Sequence, residues 1–361
     1  MGIRRPLAIF LAALALAAAA PAQWEQAIEQ ARKVALERLE EGHLPGLSVA
    51  VAVNGELVWA EGFGFADLEN QVPVTPQSRF RIGSVSKPLT AVGLMRLVDA
   101  AKLDLDAPVQ KYVPEFPVKH QGVLTTRLLT GHLAGIRHYR GSEMYRNEAF
   151  PTVAASLAIF RDDPLLAAPG ERYAYSSYGW NLVSAAMEGA SGEPFLEYME
   201  ARVLEPLGLA ETGPDLNRKI VSRRVRFYQR AGTLLFNAPV VDNSYKWAGG
   251  GFLSTPSDLA RFGSALLAGE LLSKDAYKEM WTSQKTNAGE ETGYGVGWFL
   301  GRYGPGGAKT RIGHGGGSIG GTTQLALYVE DGLVVAVASN LTSAGNLGDE
   351  AIARAFLAPR H

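Results

Sequence analysis

Two short turn signals near opposite ends of the chain constrain the fold more than any other feature. Asn54-Gly55 separates the strand-like runs Leu47–Val53 and Glu56–Phe63, and Asp331-Gly332 separates Thr323–Val329 from Leu333–Ser339. Asn-Gly and Asp-Gly supply the left-handed backbone that a tight β-hairpin requires. Gly295–Gly301 and Thr310–His314 also read as strands, whereas residues 84–290 read as mostly helical. An amphipathic helix is predicted over Trp24–Glu41, with Ala27, Ile28, Ala31, Val34, Ala35 and Leu39 on one face and a stop at His43-Leu-Pro-Gly46. A closing helix is predicted over Leu347–Leu357. Strands at both ends around a helical middle predict an α/β fold: an antiparallel sheet built from both chain ends and flanked by helices, with an inserted, mostly helical domain. The expected division is residues 23–83 with 291–361 in the sheet domain, and 84–290 in the helical one.

The N-terminus carries a separate signal. Arg4-Arg5, an apolar run over residues 6–19 and Ala20-Pro-Ala22 have the order of a secretory signal peptide, cut after Ala22. The run is too short to span a bilayer comfortably, so residues 1–22 are expected to direct export to the periplasm or the medium and to leave no membrane span after cleavage. Removing them takes two of the 35 basic residues and no acid, and 33 against 36 acids leaves a net charge of −3. That balance lacks the basic stripe of a nucleic-acid binder. With no cysteine, disulfides and metal thiolate sites are excluded. The remaining 339 residues are enough for a large core.

Within this frame, Ser84-Val-Ser-Lys87 follows the strand-like run Arg79–Ile82. A serine and a lysine at i and i+3 share one helix face. An amine whose pKa is lowered by burial can take the hydroxyl proton and create a nucleophile. Among 20 serines and 11 lysines such a pair also arises by chance, as an ordinary helix start. Pro88 lacks the N–H that would bond the Ser84 carbonyl, a local conflict of the kind found at functional sites and also at plain helix starts. Acyl transfer further needs a second proton-handling group, an oxyanion hole and a strand edge. Tyr175-Ser-Ser177, after the turn Ala168-Pro-Gly170, offers a phenol able to act as phenolate and general base beside a lysine, and a hydroxyl in Ser177. Otherwise Tyr175 is a buried residue at a helix start. His314-Gly-Gly-Gly317 ends the strand that begins at Thr310, and glycines there mark close backbone approach or a flexible turn.

Other matches lead away from chemistry. Gly316-Gly-Ser318-Ile-Gly320 spells G-x-S-x-G, but a strand pattern follows where a nucleophile elbow requires a helix. Of the six histidines (43, 120, 132, 138, 314, 361) none forms H-E-x-x-H, and His132 and His138 read as groups that fix a loop rather than metal ligands. Gly62-Phe-Gly64 follows a strand without opening a helix, so no nucleotide fingerprint is present. No cofactor or metal is implied.

The order Ser84-x-x-Lys87, Tyr175-Ser-Ser177, His314-Gly-Gly316 resembles the serine beta-lactamase and penicillin-binding family, in its class C-like (peptidase S12-type) branch. Leu103–Asp106, Tyr112–Phe116, Thr125–Leu129, Gly135–Tyr139 and, above all, Val241–Thr255 extend the likeness over about residues 24–357. The resemblance implies Ser84 as nucleophile, Lys87 as its activating partner, and Tyr175 as general base and proton donor to the leaving group. It implies an oxyanion hole from the Ser84 and Gly317 N–H groups. Ser177, His314 and Gly316 complete the expected substrate-binding set. Ser177 stands where true beta-lactamases frequently have asparagine, and His314-Gly315 where many relatives have Lys-Thr. The implied function is therefore an exported peptidase on peptide-like amides, working on a small-molecule or peptide substrate. An esterase, a weak beta-lactamase or D,D-peptidase, and a catalytically silent binding or assembly protein are the alternatives. The sequence carries no signal for oligomeric state.

Overall fold

The structure, a computed structural model, describes residues 22–358. Apart from Ala22, the expected signal peptide lies outside the described residues. Seven strands form one sheet whose spatial order joins the chain ends: Val72–Pro73, Glu56–Asp67, Gly46–Val53, Leu333–Ser339, Gly321–Tyr328, Lys309–Ser318 and Phe299–Tyr303. The two predicted hairpins meet at its centre. Gly46–Val53 runs antiparallel to Leu333–Ser339, with Leu47 opposite Ser339 and Val53 opposite Leu333.

Strand alternation sends successive side chains to opposite faces, and both faces are covered. Val49, Val51, Val335 and Val337 pack outward with Ile28, Ala31 and Ala35 of the helix Glu25–Glu41 and with Ile352, Ala353 and Phe356 of Asp349–Leu357. Trp24 meets Phe356 at 5.5 Å between ring centroids. Ala50, Ala52, Leu325, Leu327, Val334 and Ala336 point the other way, into a core shared with Leu259, Phe262 and Leu266 of the helix Pro256–Ala268. Two-sided cover explains why Gly46–Val53 reads as apolar at every position but Ser48. Each fully buried Val or Leu contributes about 1.5–3 kcal/mol.

The helical part centres on Ser86–Asp99 and Ser177–Ser191, whose Leu89, Val92, Trp180 and Val183 join the same inner core. A small sheet pairs Phe80–Arg81 with Phe252–Ser254, and Gly213–Pro214 with the same central strand. Among the described residues no helix is long and apolar enough to cross a membrane.

Two strand boundaries differ from expectation. The strand predicted from Gly295 begins at Phe299, because Gly293 and Gly297 adopt left-handed backbone at φ 69° and 81°. A Cβ on Gly297 would lie 2.8 Å from Trp180 and 3.0 Å from Ala91, so the segment crosses the two central helices too closely for a side chain. The glycine strand, in turn, extends from His314 on to Ser318. The Pro88 conflict disappears: helix Ser86–Asp99 starts at Ser86, and Pro88 sits in its first turn, where N–H groups have no intrahelical partner.

Candidate active site

Ser84 is carried by a single 3-10 turn, Gly83–Val85, between the strand Phe80–Arg81 and the helix that begins at Ser86. The glycine strand presses directly on this turn. Gly83 has φ 49°, and a Cβ there would lie 2.5 Å from the Gly317 carbonyl oxygen; a Cβ on Gly316 would lie 1.9 Å from the Ile82 oxygen. Only glycines permit this backbone contact. Strand Phe299–Tyr303 pairs with the glycine strand no further than Gly313, so the edge beyond is open. Ser318 and Gly321 flank the two-residue turn Ile319-Gly320 and form the closing pair of the hairpin. Ladder alternation then turns the N–H groups of Gly315 and Gly317 toward the open edge.

Lys87 is fully buried. Its Nζ lies 3.0 Å from Ser84 Oγ, 3.1 Å from Ser177 Oγ and 2.6 Å from the Gly249 carbonyl oxygen, with no carboxylate among these partners. Burial first, and the charge of Lys246 second, hold its pKa well below the ordinary lysine value. A neutral amine has two N–H groups and one lone pair. Two donated bonds, to Gly249 and Ser177, leave that lone pair for the Ser84 hydroxyl proton. Tyr175 O–H donates to Ser84 Oγ at 2.8 Å, and burial pushes the phenol's pKa up, so it rests protonated. Ser84 and Tyr175 keep partial exposure, as a site that receives a ligand requires.

The helix Ser177–Ser191 fixes Tyr175 and Ser177 through its N-terminus. Ser176 Oγ accepts from Gly179 N–H at 3.0 Å and donates to the Arg137 carbonyl at 2.7 Å. Two further backbone donors end on histidines: Ser176 N–H on His132 Nδ1 at 3.1 Å, and Ser177 N–H on His138 Nδ1 at 3.2 Å. His132 also lies against the Tyr175 ring, 4.2 Å between centroids. Burial, followed by the charge of Lys87, lowers both imidazole pKa values, that of His138 to about 4. These are the loop-fixing groups expected from sequence. Among the described residues no group of three His, Cys, Asp or Glu is placed to hold a metal ion.

His314, expected in the substrate-binding set, lies 6.4 Å from the Tyr175 ring between centroids. Its Nδ1 lies 2.6 Å from the Gly315 carbonyl, which can only accept, so Nδ1 carries the proton. Nε2 then accepts from Tyr294 O–H at 2.8 Å. The ring is 3% exposed and packs against Tyr294 and Phe299. Burial, then the Lys87 charge, pushes its pKa down to about 3. Both nitrogens are occupied, and the neutral ring offers no cation to a substrate. Ser318 is buried with Oγ unpartnered, and strand Gly321–Tyr328 follows it, which removes the elbow reading.

The charged neighbours beyond Lys87 carry no local sequence signal. Arg81 Nε donates to Asp215 at 2.7 Å; Asn243 and Arg224 reach the same carboxylate at 2.8 and 3.3 Å. Lys246, 2% exposed, lies over the rings of Tyr139 and Tyr245 at 5.5 and 5.3 Å. Asp215 lies 134 positions from Arg81, a separation no local pattern reveals.

Fold and site together define a protein of the beta-lactamase and penicillin-binding type. The family model "Beta-lactamase" matches residues 24–359, and the chain belongs to that family. It is 38% identical over 313 residues to the human "Serine beta-lactamase-like protein LACTB, mitochondrial", a match covering 68% of this chain and 57% of that one. Thus it spans little more than half the length of that relative. It is 29% identical over 315 residues to "Penicillin-binding protein 4*" of Bacillus subtilis, covering 81% of this chain and 68% of the other. Among solved structures, an octameric penicillin-binding protein homologue from Pyrococcus abyssi superposes with a TM-score of 0.79 at 28% identity, over 91% of this chain and 77% of that one. A D-stereospecific amidohydrolase from Streptomyces shares the fold at a TM-score of 0.75 and 24% identity, over 90% of this chain and 97% of its own.

Proposed function

We propose that the protein is an exported acyl hydrolase that forms an ester intermediate on Ser84 and acts on peptide-like amides. The observation that carries the reading is the pair of contacts on one oxygen: Lys87 Nζ at 3.0 Å and Tyr175 O–H at 2.8 Å from Ser84 Oγ, with the lysine buried away from any carboxylate partner. Ser84 Oγ attacks the carbonyl carbon while its proton passes to the neutral Lys87 amine. The Ser84 and Gly317 N–H groups receive the oxyanion. Tyr175 donates a proton to the departing amine or alkoxide and recovers one from Lys87. Water then enters, gives its proton back through the same groups and releases the acid, so that acyl–X and water become acid and H–X. Burial that keeps Tyr175 a phenol supports Lys87, rather than a tyrosine phenolate, as the base that starts the cycle.

Peptide-like amides fit an open strand edge at Gly315–Gly317, where an extended substrate can add its backbone. The neutral His314 favours a peptidase or esterase over efficient antibiotic hydrolysis. Residues 1–22 are proposed to direct export, testable by the N-terminus of the secreted protein. For the chemistry, a fluorescent alkyl phosphonate should label the wild type at Ser84, and Ser84→Ala should lose labelling and at least about 10³-fold in turnover of esters and amides. Turnover retained in Ser84→Ala overturns the assignment.

A further inference from the structure

Lys246 is a buried cation with no assigned partner. It ends the turn after Asn243 and precedes the short helix Trp247–Gly250, whose Gly249 carbonyl holds Lys87. Its stem runs beside the nucleophile turn: a Cβ on Gly250 would lie 3.6 Å from the Gly83 carbonyl carbon and 3.8 Å from Lys246 Cδ. Among the described residues its Nζ makes no hydrogen bond or ion pair, and its contacts are the Tyr139 and Tyr245 rings. Burying an ammonium without an anion is costly.

The anions nearby are committed elsewhere. Asp215 is taken by Arg81, Arg224 and Asn243, Glu143 by Arg137, and Asp242 accepts from the Ser244 N–H and lies in the field of Arg81. With two guanidiniums drawing on Asp215, Lys246 is left without a carboxylate in ion-pair reach beside the nucleophile turn. The opposite wall adds nothing, because His314 is neutral and closed. Tyr175, the proposed donor to the leaving group, packs against His132 and His314; Lys246 packs against Tyr139 and Tyr245. The two groups thus have different immediate neighbours, on either side of His138.

We infer that Lys246 is a specificity residue that receives a carboxylate on the acyl portion of the substrate, so that the enzyme selects acyl donors bearing a negative charge. This rests on Ser84 being the acylated residue. A bound carboxylate supplies the anion the fold withholds, and the two tyrosine rings flank the pair. Placed beside a carbonyl held by Ser84, the pair also fixes the orientation of the acyl chain.

The test compares mono-p-nitrophenyl glutarate with p-nitrophenyl valerate, which share leaving group and chain length and differ in charge. The wild type is expected to favour the glutarate in kcat/KM by tenfold or more, about 1.4 kcal/mol, chiefly through KM. In Lys246→Met that ratio should fall to about one, and Lys246→Arg should retain most of it. Taking a ratio cancels any effect of the substitution on Lys87 that both esters share. Equal handling of the two esters by the wild type overturns the inference without any variant, and so does a ratio that survives in Lys246→Met. Phosphonate labelling of Ser84 separates the two readings: labelled enzyme with no charge preference refutes the role of Lys246 alone, whereas failure to label the wild type refutes the Ser84 mechanism and this inference with it.

Discussion

Replacing Lys246 by methionine should make the protein more stable, by an amount that depends on pH in a calculable way. Burial, with the like charge of Arg81 outweighing the attraction of Asp215, brings the Lys246 pKa down to about 7 from its ordinary 10.5. Folding therefore works against protonation over about 3.5 pH units, at about 1.36 kcal/mol per unit. Well below pH 7 the full penalty of about 5 kcal/mol applies. At pH 7, where half the folded molecules have already lost the proton, it is about 4 kcal/mol, and at pH 9.5 it has fallen to about 1.5 kcal/mol. The sign follows from proton counts: between pH 7 and 10.5 the unfolded lysine holds more protons than the folded one, so stability rises with pH. Methionine abolishes this dependence and keeps most of the apolar stem. It loses the two ring contacts, worth about 0.5–2 kcal/mol each. Net stabilisation of about 2 kcal/mol is expected at pH 7, shrinking to zero or reversing by pH 9.5. Urea unfolding of both proteins at pH 6.5, 8 and 9.5 measures the difference, in which other titrating groups cancel. A difference that does not change with pH, or a methionine variant less stable at pH 6.5, refutes the reasoning that an uncompensated ammonium sits there.

Other consequences are equally direct. Tyr175→Phe keeps the ring against His132 but removes the proton donor on Ser84 Oγ; kcat should fall about 10²–10⁴-fold on amides and much less on p-nitrophenyl esters, whose leaving group needs no proton, and equal losses on both would refute the donor role. The acid limb of kcat/KM should follow the lowered Lys87 pKa, activity rising with pH as the amine loses its proton. Because His138 titrates at about 4, His138→Gln should leave that limb's midpoint in place, and a displaced midpoint would assign it to the histidine. Gly316→Ala puts a methyl 1.9 Å from the Ile82 oxygen; about 1–3 kcal/mol of destabilisation, read as a lowered urea midpoint, should accompany slower phosphonate labelling. Asp215→Asn leaves Arg81 buried without its carboxylate and should cost about 3–5 kcal/mol, measured in the same urea series.

The parts of this protein legible in sequence are those whose physics is local. Asn54-Gly55 and Asp331-Gly332 announced their hairpins because left-handed turns need such residues, and the covered faces of Gly46–Val53 showed as an apolar run broken only by Ser48. Ser84 and Lys87 were legible because a helical turn brings i and i+3 together. The strand start at Phe299 was not, since Gly297 is left-handed for want of room against Trp180, a residue more than a hundred positions away. Lys246 lay within the stretch Val241–Thr255 that carried the strongest resemblance, yet nothing in the stretch said the amine would be buried over Tyr139 and Tyr245. His314 lies on the strand Lys309–Ser318. That its nitrogens would be taken by Gly315 and Tyr294 depended on how residues 293–298 fold over it.

Two lysines are therefore kept inside this core without a carboxylate to share between them, and the reason differs for each. Lys87 is tolerated because, as a neutral amine, it has a hydrogen-bond role for every atom: Gly249 and Ser177 receive its protons and Ser84 meets its lone pair. Charging it in the folded state breaks that arrangement, and the role of base proposed for Lys87 draws on this same opposition to charge. Lys246 has no such set of partners. Its neutral form leaves an amine facing two rings, and its charged form leaves an ammonium with no anion, so neither state is satisfied by the protein alone. A fold under selection for stability alone would replace it by a methionine or leucine of similar volume. Its retention beside the nucleophile is explained by something that arrives with the substrate, and a carboxylate on the acyl group satisfies Lys246 while leaving the Ser84–Lys87–Tyr175 contacts untouched.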